Sequence, residues 1–167
     1  MTSSVWQTSR FKIDLTQPKV MAIVNLTPDS FSDGGQHASL QHALDHAHKV
    51  LAQGADILDI GGESSRPGAK AVSVQEELDR ICPFLQEAVR WNVPLSVDTA
   101  KPEVMKVALD MGADILNDIW ALRQPGALEV VTQHANCGVC LMHMHRDPQT
   151  MHDQPMMGDA VAAVTDF

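Results

Sequence analysis

The stretch Gly54-Ala55-Asp56-Ile57-Leu58-Asp59-Ile60 recurs further along the chain as Gly112-Ala113-Asp114-Ile115-Leu116-Asn117-Asp118. In both places a glycine closes a helical pattern and an apolar strand begins at once. A helix-to-strand junction used twice constrains the fold strongly, because it implies repeated βα units rather than a helical bundle or an antiparallel sandwich. The intervening sequence fits. Val20 to Val24 is an apolar run, followed by Leu40, Ala43, Leu44, Ala47, Val50 and Leu51 at helical spacing, opened by Ser39 and closed by Gly54. Asp56 to Ile60 is a second strand, and Ser73-Val74-Gln75-Glu76 has the form of a capping box opening a helix that Pro83 is expected to kink. Pro94 to Asp98 is a third strand, followed by a helix from Pro102 through Leu109 that Gly112 ends. Asp114 to Asn117 is a fourth, and a helix near Gly126 to His134 leads into a fifth strand, Val139 to Met142.

Strands this apolar are buried on both faces of a parallel sheet, either closed as a (β/α)8 barrel or open and doubly wound. The residues at the strand ends discriminate better. Asn25 ends the first strand, Glu63 and Arg66 follow the second, Asp98 ends the third, Asn117 and Asp118 the fourth, and His143 the fifth. In a barrel these ends form one ring, where barrel enzymes place their chemistry. The stretch after the first strand, Asn25 to Gly35, is long, polar and almost without apolar side chains, which suits a binding loop or lid better than a simple turn.

Composition narrows the function classes. With 44% hydrophobic residues the chain has material for a core, and the net charge of -9 without a Lys/Arg run argues against nucleic-acid or anionic-membrane surfaces. The N-terminus lacks the apolar core of a signal peptide and no segment reaches membrane-spanning length, so the expected compartment is the cytoplasm. Cys137 and Cys140 have C-x-x-C spacing, but they lead into a strand, where neither a redox dithiol nor a tetrahedral zinc site with His143 and His145 is well formed, so both read as structural. His42 and His46 read as part of a solvated helix face, and His143 and His145 as loop residues.

Taken together, Asn25-Leu26-Thr27-Pro28-Asp29-Ser30-Phe31-Ser32-Asp33-Gly34-Gly35, Gly61-Gly62-Glu63-Ser64-Ser65-Arg66-Pro67-Gly68, Val97-Asp98-Thr99-Ala100-Lys101-Pro102, Asn117-Asp118-Ile119 and Met142-His143-Met144 resemble, in order and spacing, the signatures of the dihydropteroate synthases. The resemblance implies a (β/α)8 TIM barrel. It also implies the condensation of 6-hydroxymethyl-7,8-dihydropterin diphosphate with p-aminobenzoate, giving dihydropteroate and diphosphate for folate biosynthesis, with sulfonamides competing for the aminobenzoate position. By the same resemblance Asn25 binds Mg2+; Asp33 and Arg66 serve the reacting centre and diphosphate; and Phe31, Ser65, Pro67, Asp98, Asn117 and Met142 contact the substrates. Ser65 departs from the threonine more usual in the family and keeps its hydroxyl. The complete protein is expected to be a homodimer.

A barrel needs eight units and only about five are legible, with the chain ending in an apparent helix from Gly158 to Phe167. Residues 1–18 then form an N-terminal segment and residues 19–167 a pterin-binding domain that is a partial barrel. An N-terminal piece of this kind is expected to be inactive alone and to associate through its open edges. Two other functions remain compatible with the residues: a methyltetrahydrofolate-dependent methyltransferase barrel, and a noncatalytic remnant.

Overall fold

The computed structural model describes residues 4–27, 35–64, 71–144 and 158–167, with the backbone alone at 35–38. Strands β3 (Met21–Asn25), β4 (Ile57–Gly61), β5 (Leu95–Asp98), β6 (Ile115–Asp118) and β7 (Gly138–Leu141) form one parallel sheet in chain order. The helices after the first four are α1 (Gly35–Ala52), α2 (Val74–Ala88), α3 (Pro102–Asp110) and α4 (Ala127–Gln133), and α5 (Ala160–Asp166) follows β7. Each strand joins the same growing edge of the sheet. A doubly wound sheet reverses strand order at a switch point, whereas this one never does, so the winding is that of a barrel of which five units are present.

The repeated stretch has a structural cause. Gly54 and Gly112 both adopt φ 102°, the left-handed conformation that ends a helix without steric penalty to glycine. The next residue returns its N–H to the finished helix, Ala55 to Val50 O and Ala113 to Ala108 O, each at 3.0 Å. The aspartate after it then accepts from a backbone N–H at the start of the adjacent strand's segment, Asp56 from Val20 N and Asp114 from Leu95 N, each at 2.9 Å. Gly-Ala-Asp is therefore a device that stops a helix and sets the height of the next strand against its neighbour.

Side chains alternate across the strands. Val24, Leu58, Ile60, Leu95, Val97 and Leu116 turn to the helices and are fully buried with Ala43, Ala47, Ile81, Phe84, Leu85, Val104 and Met105. The opposite, barrel-interior face is split by height. At its base, Ile57 and Ile115 pack with Ile13 against Trp6, Phe11 and Met21. Ile13 and Trp6 belong to an antiparallel hairpin, β1 (Val5–Gln7) with β2 (Lys12–Asp14), that plugs the bottom of the sheet. A Cβ at Gly138 would lie 3.1 Å from side-chain atoms of Ile115, Thr8 and Trp6, so glycine lets the plug sit close against β7. Arg10, in the hairpin turn, closes on the buried Asp114 through Nε (3.0 Å to Oδ1) and Nη2 (2.6 Å to Oδ2), and reaches Val89 O with Nη1 (2.7 Å).

Several expectations are corrected. The N-terminal segment adds this hairpin, which the sequence reading does not include because its three-residue strands are too short to show alternation. Helix α1 begins at Gly35, ahead of Ser39. The capping box is half made: Ser73 Oγ accepts from Glu76 N at 3.1 Å, but the Glu76 carboxylate turns to Arg80 instead of back to the cap.

Candidate functional site

At the C-terminal end of the sheet one register row crosses all five strands: Asn25 pairs with Gly61, Gly61 with Asp98, Asp98 with Asn117, and Asn117 with Cys140. Paired residues in a parallel sheet share a face, so the row puts an amide, a gap, a carboxylate, an amide and a thiol along the upper interior wall. A Cβ at Gly61 would stand 3.6 Å from Asn25 Oδ1 and 3.9 Å from Asp98 Cβ, so the glycine leaves an opening between the two. Of the residues expected at the site, the structure thus brings Asn25, Asp98 and Asn117 together. Met142, half-buried, follows β7 and donates its N–H to Asp118 O at 3.2 Å. Phe31, Asp33, Ser65, Arg66 and Pro67, and with them most of the expected lid, lie outside the described residues.

Asp98 is the electrostatic centre of the row. Burial, and then the like charges of Asp59, Glu77, Asp118 and Glu63, push its carboxyl up to about 7. A group poised there exchanges a proton near neutrality, and clustered carboxylates at the mouth of a barrel are a recurrent sign of a binding site. Asp59, one pair below the row and opposite Ser96, is buried; its Oδ2 accepts from Asn117 Nδ2 at 3.0 Å. Asp118 points the other way and is structural, since its carboxylate accepts from Trp120 N (2.8 Å) and Leu122 N (2.7 Å) in a turn where Ala121 and Leu122 hold positive φ.

Below the mouth an ion cluster braces the Gly61-Gly62-Glu63 segment. Lys101 Nζ, from the residue capping α3, donates to Glu63 Oε2 and to Glu77 Oε2 on α2. Glu77 is fully buried, so Lys101 supplies the countercharge it needs. Arg80 Nη1 donates to Gly62 O at 2.7 Å. Gly62 itself admits no side chain: a Cβ would lie 2.8 Å from Ile81 Cγ2 and 2.9 Å from Glu77 Cγ. The double glycine therefore has two separate reasons, an opening in the wall at Gly61 and the close approach of α2 at Gly62.

Asp59, Glu77, Arg80 and Lys101 were not singled out from the sequence. Asp59 had a signal, because it and Asn117 occupy the same place in the repeated stretch. Cys137 is half-buried and Cys140 is exposed. Burial pushes the Cys137 thiol up to about 11 and raises that of Cys140, where Asp59 and Asp98 add to it, so neither leans toward the reactive thiolate. His42 and His46 are solvent-exposed, and the described residues contain no cluster of three or more His, Cys, Asp or Glu able to hold a metal. A hard cation that takes oxygen ligands and keeps its waters needs no such cluster, and the exposed Asn25, with its side-chain oxygen beside the Gly61 opening, fits that lesser demand.

Comparison with known proteins gives concordant results. A family model described as pterin binding enzyme matches residues 21–167. The dihydropteroate synthase of Neisseria meningitidis serogroup B is 50% identical over 169 residues, covering 100% of this chain and 59% of the relative. That of Escherichia coli K12 is 50% identical over 156 residues, covering 93% and 55%. The chain therefore spans somewhat over half the length of the curated relatives it matches. Among solved structures, Burkholderia cenocepacia dihydropteroate synthase complexed with 7,8-dihydropteroate aligns with a TM-score of 0.84 at 47% identity, covering 97% of this chain and 54% of that one. The Xanthomonas albilineans enzyme with 4-aminobenzoic acid gives 0.86 at 48%, covering 99% and 58%. The Yersinia pestis enzyme in a sulfonamide drug complex gives 0.86 at 46%, covering 97% and 59%.

Proposed function

The chain belongs to the pterin binding enzyme family, and on that premise we propose that it forms the pterin-binding half of a dihydropteroate synthase site. The reaction is the condensation of 6-hydroxymethyl-7,8-dihydropterin diphosphate with p-aminobenzoate to 7,8-dihydropteroate and diphosphate. The observation that carries the reading is the row Asn25, Gly61, Asp98, Asn117, which sets a carboxylate and an amide side by side where a pterin edge offers an amino group and ring N–H donors. The surrounding charge favours such a ligand: Asp59 lies beside Asp98 on the interior face, and Glu63 and Glu77 below add like charge, with Lys101 engaged by those two.

A diphosphate entering so acidic a mouth needs cations. Asn25 would hold Mg2+, which when bound offsets the charge growing on the leaving diphosphate. Arg66, with a fork suited to oxygen anions, and the hydroxyl of Ser65 would bind diphosphate or aminobenzoate, and Pro67 would shape that loop. Phe31 would pack at the aminobenzoate end, Asp33 would face the reacting centre, and Met142 would line the pterin face. Closure of 27–35 would keep water from the electrophilic pterin methylene. A complete barrel of this kind is proposed to work as a cytoplasmic homodimer; among the described residues no helix is long and apolar enough to cross a membrane.

The 167-residue chain is proposed to lack synthase activity and to associate. The edge strands of the parallel sheet, β3 and β7, leave Ile23 at 62% and Leu141 at 48% exposed, on edges that no further described strand covers. The test uses two proteins: this chain alone, and this chain joined to the remaining C-terminal length of the Neisseria relative. With both substrates and Mg2+, the joined chain should release diphosphate and form dihydropteroate, and the chain alone should run as large species on gel filtration and form none. Methyl transfer from methyltetrahydrofolate by the joined chain, without diphosphate release, would overturn the reading.

A further inference from the structure

The helix-stopping repeat places Asp59 and Asn117 at equivalent positions of β4 and β6, on the same face of the sheet, with β5 between them. At such a position two aspartates would repel; here one of the two is an amide, and a repulsion becomes a donor–acceptor pair at 3.0 Å. Ser96, paired with Asp59 on the intervening strand, is small enough to let the two side chains meet across it. The bond settles which end of the Asn117 amide is which. The amide nitrogen is the donor and the Asp59 oxygen the acceptor, so Nδ2 faces Asp59.

We propose that Asp59 is a positioning and specificity-determining residue: by holding Asn117 Nδ2, it presents the Asn117 carbonyl oxygen to the ligand as an acceptor and excludes the flipped, donating orientation. Asp59 is itself 5% exposed, and its Oδ1 meets no donor among the described residues. A buried carboxylate oxygen left in that state is costly unless a ligand or solvent donor meets it, and the register puts Asp59 on the interior face that carries the row. The selected ligand edge is one rich in N–H donors; an edge offering an acceptor opposite Asn117 is rejected. This inference rests on the reading of the row as a pterin pocket and adds the residue that fixes its polarity.

The test exchanges the two partners. Asn117→Asp alone sets two carboxylates about 3 Å apart and should weaken binding of 6-hydroxymethylpterin by about fiftyfold or more. Asp59→Asn alone keeps an acceptor oxygen at 59 and should cost about five- to tenfold, because the 117 amide is no longer held in one orientation. The double variant Asp59→Asn/Asn117→Asp restores the bond with its direction reversed while still presenting an acceptor to the ligand, so it should recover to within about fivefold of wild type, a strongly non-additive cycle. Binding is measured on the 167-residue chain and on the joined chain, with thermal stability in parallel. A double variant as weak as the product of the two singles would overturn the inference. In the ligand-free wild-type chain, one Asn117 side-chain N–H should be protected from exchange, and Asp59→Ala should abolish that protection; equal exchange in both would also overturn it. Failure of the wild-type joined chain to bind 6-hydroxymethylpterin would instead sink the pterin reading, while the exchange measurement still decides whether Asp59 orients Asn117.

Discussion

The two faces of the same five strands are built to different rules. Toward the helices the strands contribute Val24, Leu58, Ile60, Leu95, Val97 and Leu116, each fully buried against helix side chains. Toward the barrel interior the upper positions are Asn25, Asp59, Ser96, Asp98 and Asn117, and among these Asp59 Oδ1 and Ser96 Oγ are buried with no partner among the described residues. A strand alternates with period two, so one short sequence serves both faces without compromise. The helix side supplies stability through dry packing. The interior side carries an electrostatic cost, because carboxylates are crowded there. Substitutions should therefore separate cleanly into those that unfold the protein and those that change what it holds.

The sharpest way to break this division is to empty the helix-facing layer. Phe84 is fully buried, with Trp91 at its edge 6.0 Å between ring centroids. Phe84→Ala should cost about 3–5 kcal/mol of stability by chemical denaturation. In whatever fraction stays folded, pterin affinity should be unchanged; a matching loss of affinity would erase the separation of faces. The base of the barrel is next. Arg10→Ala strips Asp114, whose side chain has no exposure, of its guanidinium but leaves the backbone bonds from Arg10 N and Leu95 N. The expected loss is about 3 kcal/mol. It should show as a lowered denaturation midpoint, again with no selective effect at the mouth.

The interior face gives the opposite sign. The Asp98 carboxyl sits at about 7 when folded, against 3.8 for the free group. A folded value above the unfolded one means the native state holds the extra proton between those limits, so stability falls as pH rises from about 4 to 7. Asp98→Asn removes the penalty and should stabilise the protein at pH 8 by about 2 kcal/mol, allowing for the side chain's partial exposure, with little change at pH 4. The same variant should lose pterin binding. In the wild type, a ligand that donates to the carboxylate should bind about tenfold more weakly for each pH unit below about 7. Affinity flat from pH 5 to 8 would remove Asp98 from the pocket.

What could be read from the chain follows the same division. The strands and helices were legible because Gly-Ala-Asp repeats and apolar runs are local signals, and Asn25, Asp98 and Asn117 were legible because strand ends are where a barrel gathers its chemistry. Asp59 was hidden inside Ile57-Leu58-Asp59-Ile60, a run that reads as core until the partner on β6 is known. Glu63, Glu77 and Lys101 come from three separate segments, and only packing of α2 against the end of β4 makes them one cluster. The hairpin β1–β2 escaped notice because its strands carry three residues each and its apolar contacts, Trp6, Phe11 and Ile13, are spread over a segment with no period.

The smallest effect tests the boundary between the two regions. Ser73 caps α2 by accepting from Glu76 N, and Ser73→Ala should cost about 1 kcal/mol. For a chain of this size that is a drop of about 3 °C in melting temperature. Helix α2 also carries Arg80, bonded to Gly62 O, and Glu77, bonded to Lys101, so a frayed N-terminus has a route to the Gly61-Gly62-Glu63 segment. Arg80 lies in the second turn, though, Glu77 at the end of the first is fully buried and paired with Lys101, and Glu76 is held by Arg80 independently of the cap. Fraying should stop before reaching them. Pterin affinity of Ser73→Ala should stay within about twofold of wild type. A loss of tenfold from this one hydroxyl would mean that the helix layer and the mouth form a single cooperative unit, and the separation of faces would hold only for side chains pointing directly into the core.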